Sequence, residues 1–164
     1  MRSVEKDRFL LYGSLAGFGL FACSFLLMAP ISARSSAALD IAAGLCFWIS
    51  LAAGIAGQVL LTLRRKKWEA RTGRENPVPR VGLLNVCRNQ PGKYADAALA
   101  VCAACLAVSL PLNHYAGPIC FVFLSLTVFA LAAHCIFNGK NYSYVKTRES
   151  KKPGGNDPAK EDEK

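Results

Sequence analysis

Apolar positions in this chain do not alternate, and they do not recur only every third or fourth residue. They come in four long runs, over residues 9–31, 41–63, 94–115 and 119–137. Each is close to the ~20 residues a helix needs to cross a hydrocarbon core ~30 Å thick. No charged residue interrupts residues 9–33 or 41–63. A helix lying on a water-soluble core would show polar residues every few positions. In hydrocarbon every backbone N–H and C=O must find its partner within the segment, so the runs are expected to be helices. The pattern predicts an all-α integral membrane protein with four transmembrane helices.

The connections set the arrangement. About nine residues, with Ser32, Ser35 and Ser36 among them, join the first two runs. The stretch Asn113-His114-Tyr115-Ala116-Gly117-Pro118 joins the last two. Connections this short make neighbours antiparallel, which gives two antiparallel hairpins. The expected segments are an N-terminus over 1–8, a first hairpin over 9–63, a linker over 64–93, a second hairpin over 94–138 and a tail over 139–164. Within the linker, Pro77 and Pro79 stop any helix continuing from the second span. Val81, Leu84 and Cys87 then recur at helical spacing, which predicts a short interfacial helix. The tail beyond Tyr144 is polar and is expected to be mostly disordered.

Charge adds an orientation. The chain carries a net +9, unevenly spread. The linker over 64–93 holds nine basic residues against two acidic ones, whereas the first connection has only Arg34 and Asp40 and the second has neither Lys nor Arg. Basic loops stay cytoplasmic. Both termini and the linker are therefore expected inside, in a multi-pass protein of the plasma membrane. The short loops and the lack of organelle signals lean towards a bacterial one. Tyr12, Tyr94, Tyr115, Tyr142 and Tyr144 fall at span ends, where amphipathic rings favour the headgroup level. Trp68 fits the same belt, and Trp48, deep in the second span, reads as a packing residue. The first run is too long for a signal-peptide core, and its flank Glu5-Lys6-Asp7-Arg8 is mixed in sign. Cleavage is not expected.

Candidate chemistry is sparse. There is no catalytic constellation, no metal-ligand set and no implied cofactor. Cys102 and Cys105 form a CxxC, but no cysteine lies in an outer connection to relay electrons, so the cysteines read as small apolar residues. Gly13 and Gly17 make a GxxxG, and Gly54 and Gly57 supply small residues on the second span. These four are the candidates for close helix packing, within the chain or in a homodimer. Alanines crowd the third span, while the fourth has no glycine and several phenylalanines. Spans one to three are expected to pack tightly, with the fourth showing bulk to lipid.

Polar residues within spans are costly and attract functional suspicion. Asp96 stands 19 residues before Tyr115 and His134 stands 19 after it. At ~1.5 Å per residue they share one level. Gln58 reaches a similar depth, and Asn138 lies one turn beyond His134. Gln58, Asp96, His134 and Asn138 are thus a candidate polar cluster. Asp96 near a helix start and His134 near a helix end also suit the helix dipole, which makes an interfacial staple the simpler reading. Arg64, Arg65, Lys66 and Lys67 are candidates for contact with anionic lipid, and they equally serve as the orientation signal. Nucleic acid is not an expected partner, because this cluster already accounts for the charge. The partners expected are the lipid bilayer and either a second copy of the chain or another membrane protein. The function expected is that of a non-enzymatic accessory or scaffold subunit. The alternative is a small oligomeric transporter or channel with a cytoplasm-facing polar site.

Overall fold

The computed structural model describes residues 3–27, 37–73, 90–112 and 119–150. Among these it is all-helical, with α1 (Ser3–Leu27), α2 (Ala37–Thr72), α3 (Gln90–Ser109), α4 (Ile119–Phe137) and α5 (Lys140–Ser150). The first four are long and apolar enough to cross a membrane. The interfacial helix expected after Pro79 lies outside the described residues.

Length separates α2 from the rest. Its 36 residues extend about 54 Å at 1.5 Å per residue, well beyond a ~30 Å hydrocarbon layer. The surplus is the basic stretch from Arg64 onwards, continuous with the apolar part. The helix ends at Gly73, whose φ of 62° suits a residue without Cβ, and whose N–H donates to the Glu69 carbonyl at 3.0 Å.

Helix α1 is central. Against α2 it sets Asp7 beside Arg64, Gly17 against Gly54 and Phe25 against Phe47. Residue numbers rise along one helix as they fall along the other, the order of antiparallel packing. The close approach has a visible cause. A Cβ on Gly17 would lie 2.8 Å from the Gly54 backbone nitrogen, and one on Gly57 would lie 2.8 Å from Ser14 Cβ. Beyond them Phe21, Phe25 and Phe47 pack together, with Phe25 edge-on to the other two rings.

On its other side α1 meets α4. Ser125 Oγ donates to the Ala22 carbonyl at 2.6 Å, and the Phe129 ring closes on Gly19. Helix α4 then carries α3 on its far side. The four long helices thus form a row, α2–α1–α4–α3. Among the described helices α3 has no more than a marginal contact with any but α4. This corrects the expectation that spans one to three pack tightly and the fourth faces lipid. Helix α4 has no glycine, but Cys120, Ser125, Ala130 and Ala133 are buried, and they bring it close to its neighbours. The alanines of α3 are mostly exposed, and only Gly92, Ala95 and Ser109 are buried there.

The tail also departs from expectation. The chain turns at Asn138–Gly139 and continues as α5 to Ser150. A Cβ on Gly139 would strike the Cys135 carbonyl at 2.8 Å, so the turn needs glycine. Tyr142, Tyr144 and Val145 of α5 join Leu11, Leu61 and Ile136 in one buried cluster. These three apolar side chains hold an otherwise polar segment against the bundle; residues 151–164 lie outside the described ones. Trp48 differs as well. It is 67% exposed, on an outer face with Ile41, Leu45 and Ile49, and touches Phe47 edge-on.

Candidate functional site

Three polar assemblies tie the helices together at the end of the molecule where α1 and α3 begin and α2 and α4 finish. The first contains three of the four residues expected to cluster. His134 Nδ1 meets Asp96 Oδ1 in a side-chain hydrogen-bond contact, and Asn138 Nδ2 donates to the same carboxylate oxygen at 3.2 Å. Asn138 Nδ2 also lies 3.0 Å from the His134 ring. The helical turn between His134 and Asn138 puts both opposite the start of α3. All three side chains are partly exposed.

Gln58 is not in this group, contrary to expectation. It belongs to a second assembly on the other flank. Its Nε2 donates to Ser14 Oγ at 2.5 Å, and Ser14 passes a hydrogen bond to the Leu11 carbonyl. Asn141 Nδ2 donates to Gln58 Oε1 and to Thr62 Oγ1, each at 3.0 Å. Depth along a helix does not determine which helices are neighbours. In the row α2–α1–α4–α3, the helices bearing Gln58 and Asp96 stand at opposite ends. Gln58 also borders a groove of about 320 Å³, whose other walls are apolar residues of α1 and α4.

The third assembly was not anticipated. Asp7 is wholly buried. Arg148 Nη1 donates to its Oδ2 at 2.5 Å, and Tyr144 OH donates to the same oxygen at 3.1 Å. Arg64 Nε lies 2.6 Å from Oδ1, an ion pair set off the line an aligned hydrogen bond requires. Arg148 Nη1 also donates to Tyr144 OH at 3.0 Å. One carboxylate thus gathers two guanidiniums and a phenol from α2 and α5 onto α1. Such a buried charge is tolerable only with partners of this kind. Burial pushes the Tyr144 phenol above its ordinary value of 10.0; the Arg148 hydrogen bond opposes this and the Asp7 charge adds to it. The only sequence signal for Asp7 was its place among mixed charges ahead of an apolar run. Arg148 and Tyr144 were hidden because the tail gave no sign of returning to the bundle.

The remaining candidates divide. Gly17, Gly54 and Gly57 lie in the α1–α2 seam, whereas nothing approaches the position of a Cβ on Gly13. The α1–α2 seam therefore uses Gly17 and not Gly13. Among the basic residues, Arg64 binds Asp7, Arg65 reaches Glu69 one turn on at 3.6 Å, and Lys66 and Lys67 are exposed. No group of three or more His, Cys, Asp or Glu side chains able to hold a metal occurs among the described residues. Cys102 and Cys105 are free thiols, partly buried along α3. No protein-family model, curated protein or solved structure matches this chain.

Proposed function

We propose that this chain is a non-enzymatic accessory or scaffold subunit of the plasma membrane, built as two antiparallel transmembrane hairpins with both termini and the basic linker in the cytoplasm. The observation that carries the reading is the edge position of α3. It leans on α4 alone among its larger contacts and turns Ala97, Ala100, Ala104 and Ala107 outward. In lipid, small residues favour close approach of another helix, because packing rather than hydrophobicity drives association there. The polar side chains of the bundle, meanwhile, are engaged with one another, which suits a rigid support. The partner is a second copy of the chain or another membrane protein.

Photo-crosslinking in cells tests this. A photoreactive residue at Ala100 or Ala104 is expected to give one discrete protein adduct, and the same residue at Leu45 on the outer face of α2 only diffuse lipid adducts. Ala100→Trp is expected to abolish the α3 adduct of Ala104 while leaving the protein in the membrane. Lipid adducts alone at every α3 position would contradict the scaffold reading.

A second reading, a small transporter or channel, draws support from the partly exposed Asp96–His134–Asn138 group. It requires that Asp96→Asn remove a solute flux in reconstituted vesicles without changing thermal stability. A stability loss without any flux phenotype marks the group as a staple between α3 and α4.

A further inference from the structure

The basic extension of α2 does more than continue a helix. Arg64, Lys67, Trp68 and Arg71 recur at three- and four-residue spacing and so share one face. That face and α5 enclose a cleft of about 340 Å³, lined by these four residues with Tyr144 and Arg148. Its floor is rigid. Trp68 packs edge to face on Tyr144 with centroids 5.6 Å apart, and the Arg148 guanidinium lies over the Tyr144 ring at 5.7 Å. Arg64 and Arg148 are both pinned to the buried Asp7 carboxylate.

The charge in the cleft is unbalanced. Four cationic side chains line it, and the Asp7 carboxylate that Arg64 and Arg148 meet is buried behind it. Elsewhere on the same end, some basic residues have acidic partners: Arg65 has Glu69, and Arg8 and Lys146 share Glu149. No carboxylate among the described residues pairs with Lys67 or Arg71. Like charges one turn apart disfavour a helix, so this face is one that a bound anion would stabilise. The volume suits a phosphate-sized group together with part of the molecule bearing it.

We propose that this cleft binds the phosphate of a phosphoester, with Lys67 and Arg71 contacting the anion and the Trp68–Tyr144 pair packing against the group that carries it. A phospholipid headgroup and a soluble phosphomonoester offer the same chemistry. The inference does not depend on the scaffold reading; only its lipid source needs the helices to lie in a bilayer.

Trp68 supplies the readout once Trp48→Phe removes the other indole. The full chain in nanodiscs of phosphatidylcholine is titrated with glycerol 3-phosphate, and separately prepared with increasing dioleoyl phosphatidic acid. A saturable change in Trp68 emission is expected with one or both, and which probe gives it identifies the source. Lys67→Gln with Arg71→Gln should weaken the response about tenfold or more. Lys66→Gln with Lys93→Gln removes the same charge outside the cleft and should weaken it less than about twofold. Neither pair touches the Asp7 assembly, and elution profiles check that both fold. Absence of a saturable response to either probe, or equal weakening by the two pairs, would overturn the proposal.

Discussion

At the scale of single residues, Asp7 is the most consequential position. It is a carboxylate in the mixed-charge first turns of a helix that carries no charge from Phe9 onwards, wholly enclosed, with Arg64, Arg148 and Tyr144 around it. Removing one partner from a buried ionic group typically costs about 3–5 kcal/mol, because the others stay buried without compensation. Asp7→Asn is expected to destabilise by about that much in detergent unfolding. Adding Arg148→Met should recover part of the loss, since the two changes share one interaction. Equal and additive losses would mean that the contact carries little energy.

Tyr144 gives the same assembly a pH signature. Its phenol is raised in the folded protein by burial. The neutral form is therefore the one the fold favours. Its stabilising share is complete below the ordinary value of 10.0 and is lost as pH rises through the elevated folded value. The thermal midpoint should fall above about pH 10, and Tyr144→Phe should flatten that fall relative to the lysine background shared by both proteins. Parallel curves for the two would assign the alkaline loss elsewhere.

At the scale of elements, the α1–α2 seam separates two glycines that look alike in sequence. Gly17 faces Gly54 with no room for a Cβ, whereas Gly13 has open space. Gly17→Leu is expected to cost more than about 2 kcal/mol by overpacking against backbone that cannot yield. Gly13→Leu should stay within about 0.5 kcal/mol, as outward substitutions usually do. Reversible unfolding of both variants in detergent provides the comparison, and equal losses would place both glycines in contacts other than this seam.

Those glycines also mark how far the sequence carries. The four apolar runs were plain because lipid-compatible helices need unbroken hydrophobicity, and that property belongs to each run alone. Helix order was not plain, because it depends on rotation about each axis. Counting glycines pointed away from α4, yet Ser125, Ala130 and Ala133 serve the same purpose there. Asp96, His134 and Asn138 were matched correctly by depth, since α3 and α4 are neighbours. Gln58 was misplaced because depth was all that linked it to them. Helix α5 was missed because three anchors, Tyr142, Tyr144 and Val145, are too few to register as a periodic pattern among eleven residues.

At the scale of the whole molecule, the row of helices has two edges, α2 and α3, and one charged end. At that end a buried carboxylate, an amide network and an Asp–His pair join successive helices across the row. Towards the opposite end Phe21, Phe25 and Phe47 form the largest apolar contact, beside the Ser125–Ala22 hydrogen bond. This polarity of the molecule parallels the charge asymmetry of its sequence and supports placing all the basic segments on one side of a bilayer. The central claim is that placement.

Labelling of introduced cysteines in intact cells with a membrane-impermeant maleimide tests it most directly, with the seven native cysteines replaced by alanine. Arg34→Cys in the first connection should be labelled at once, and Lys146→Cys on α5 only after the membrane is opened. Labelling of both in intact cells, or of Lys146→Cys alone, would contradict the account.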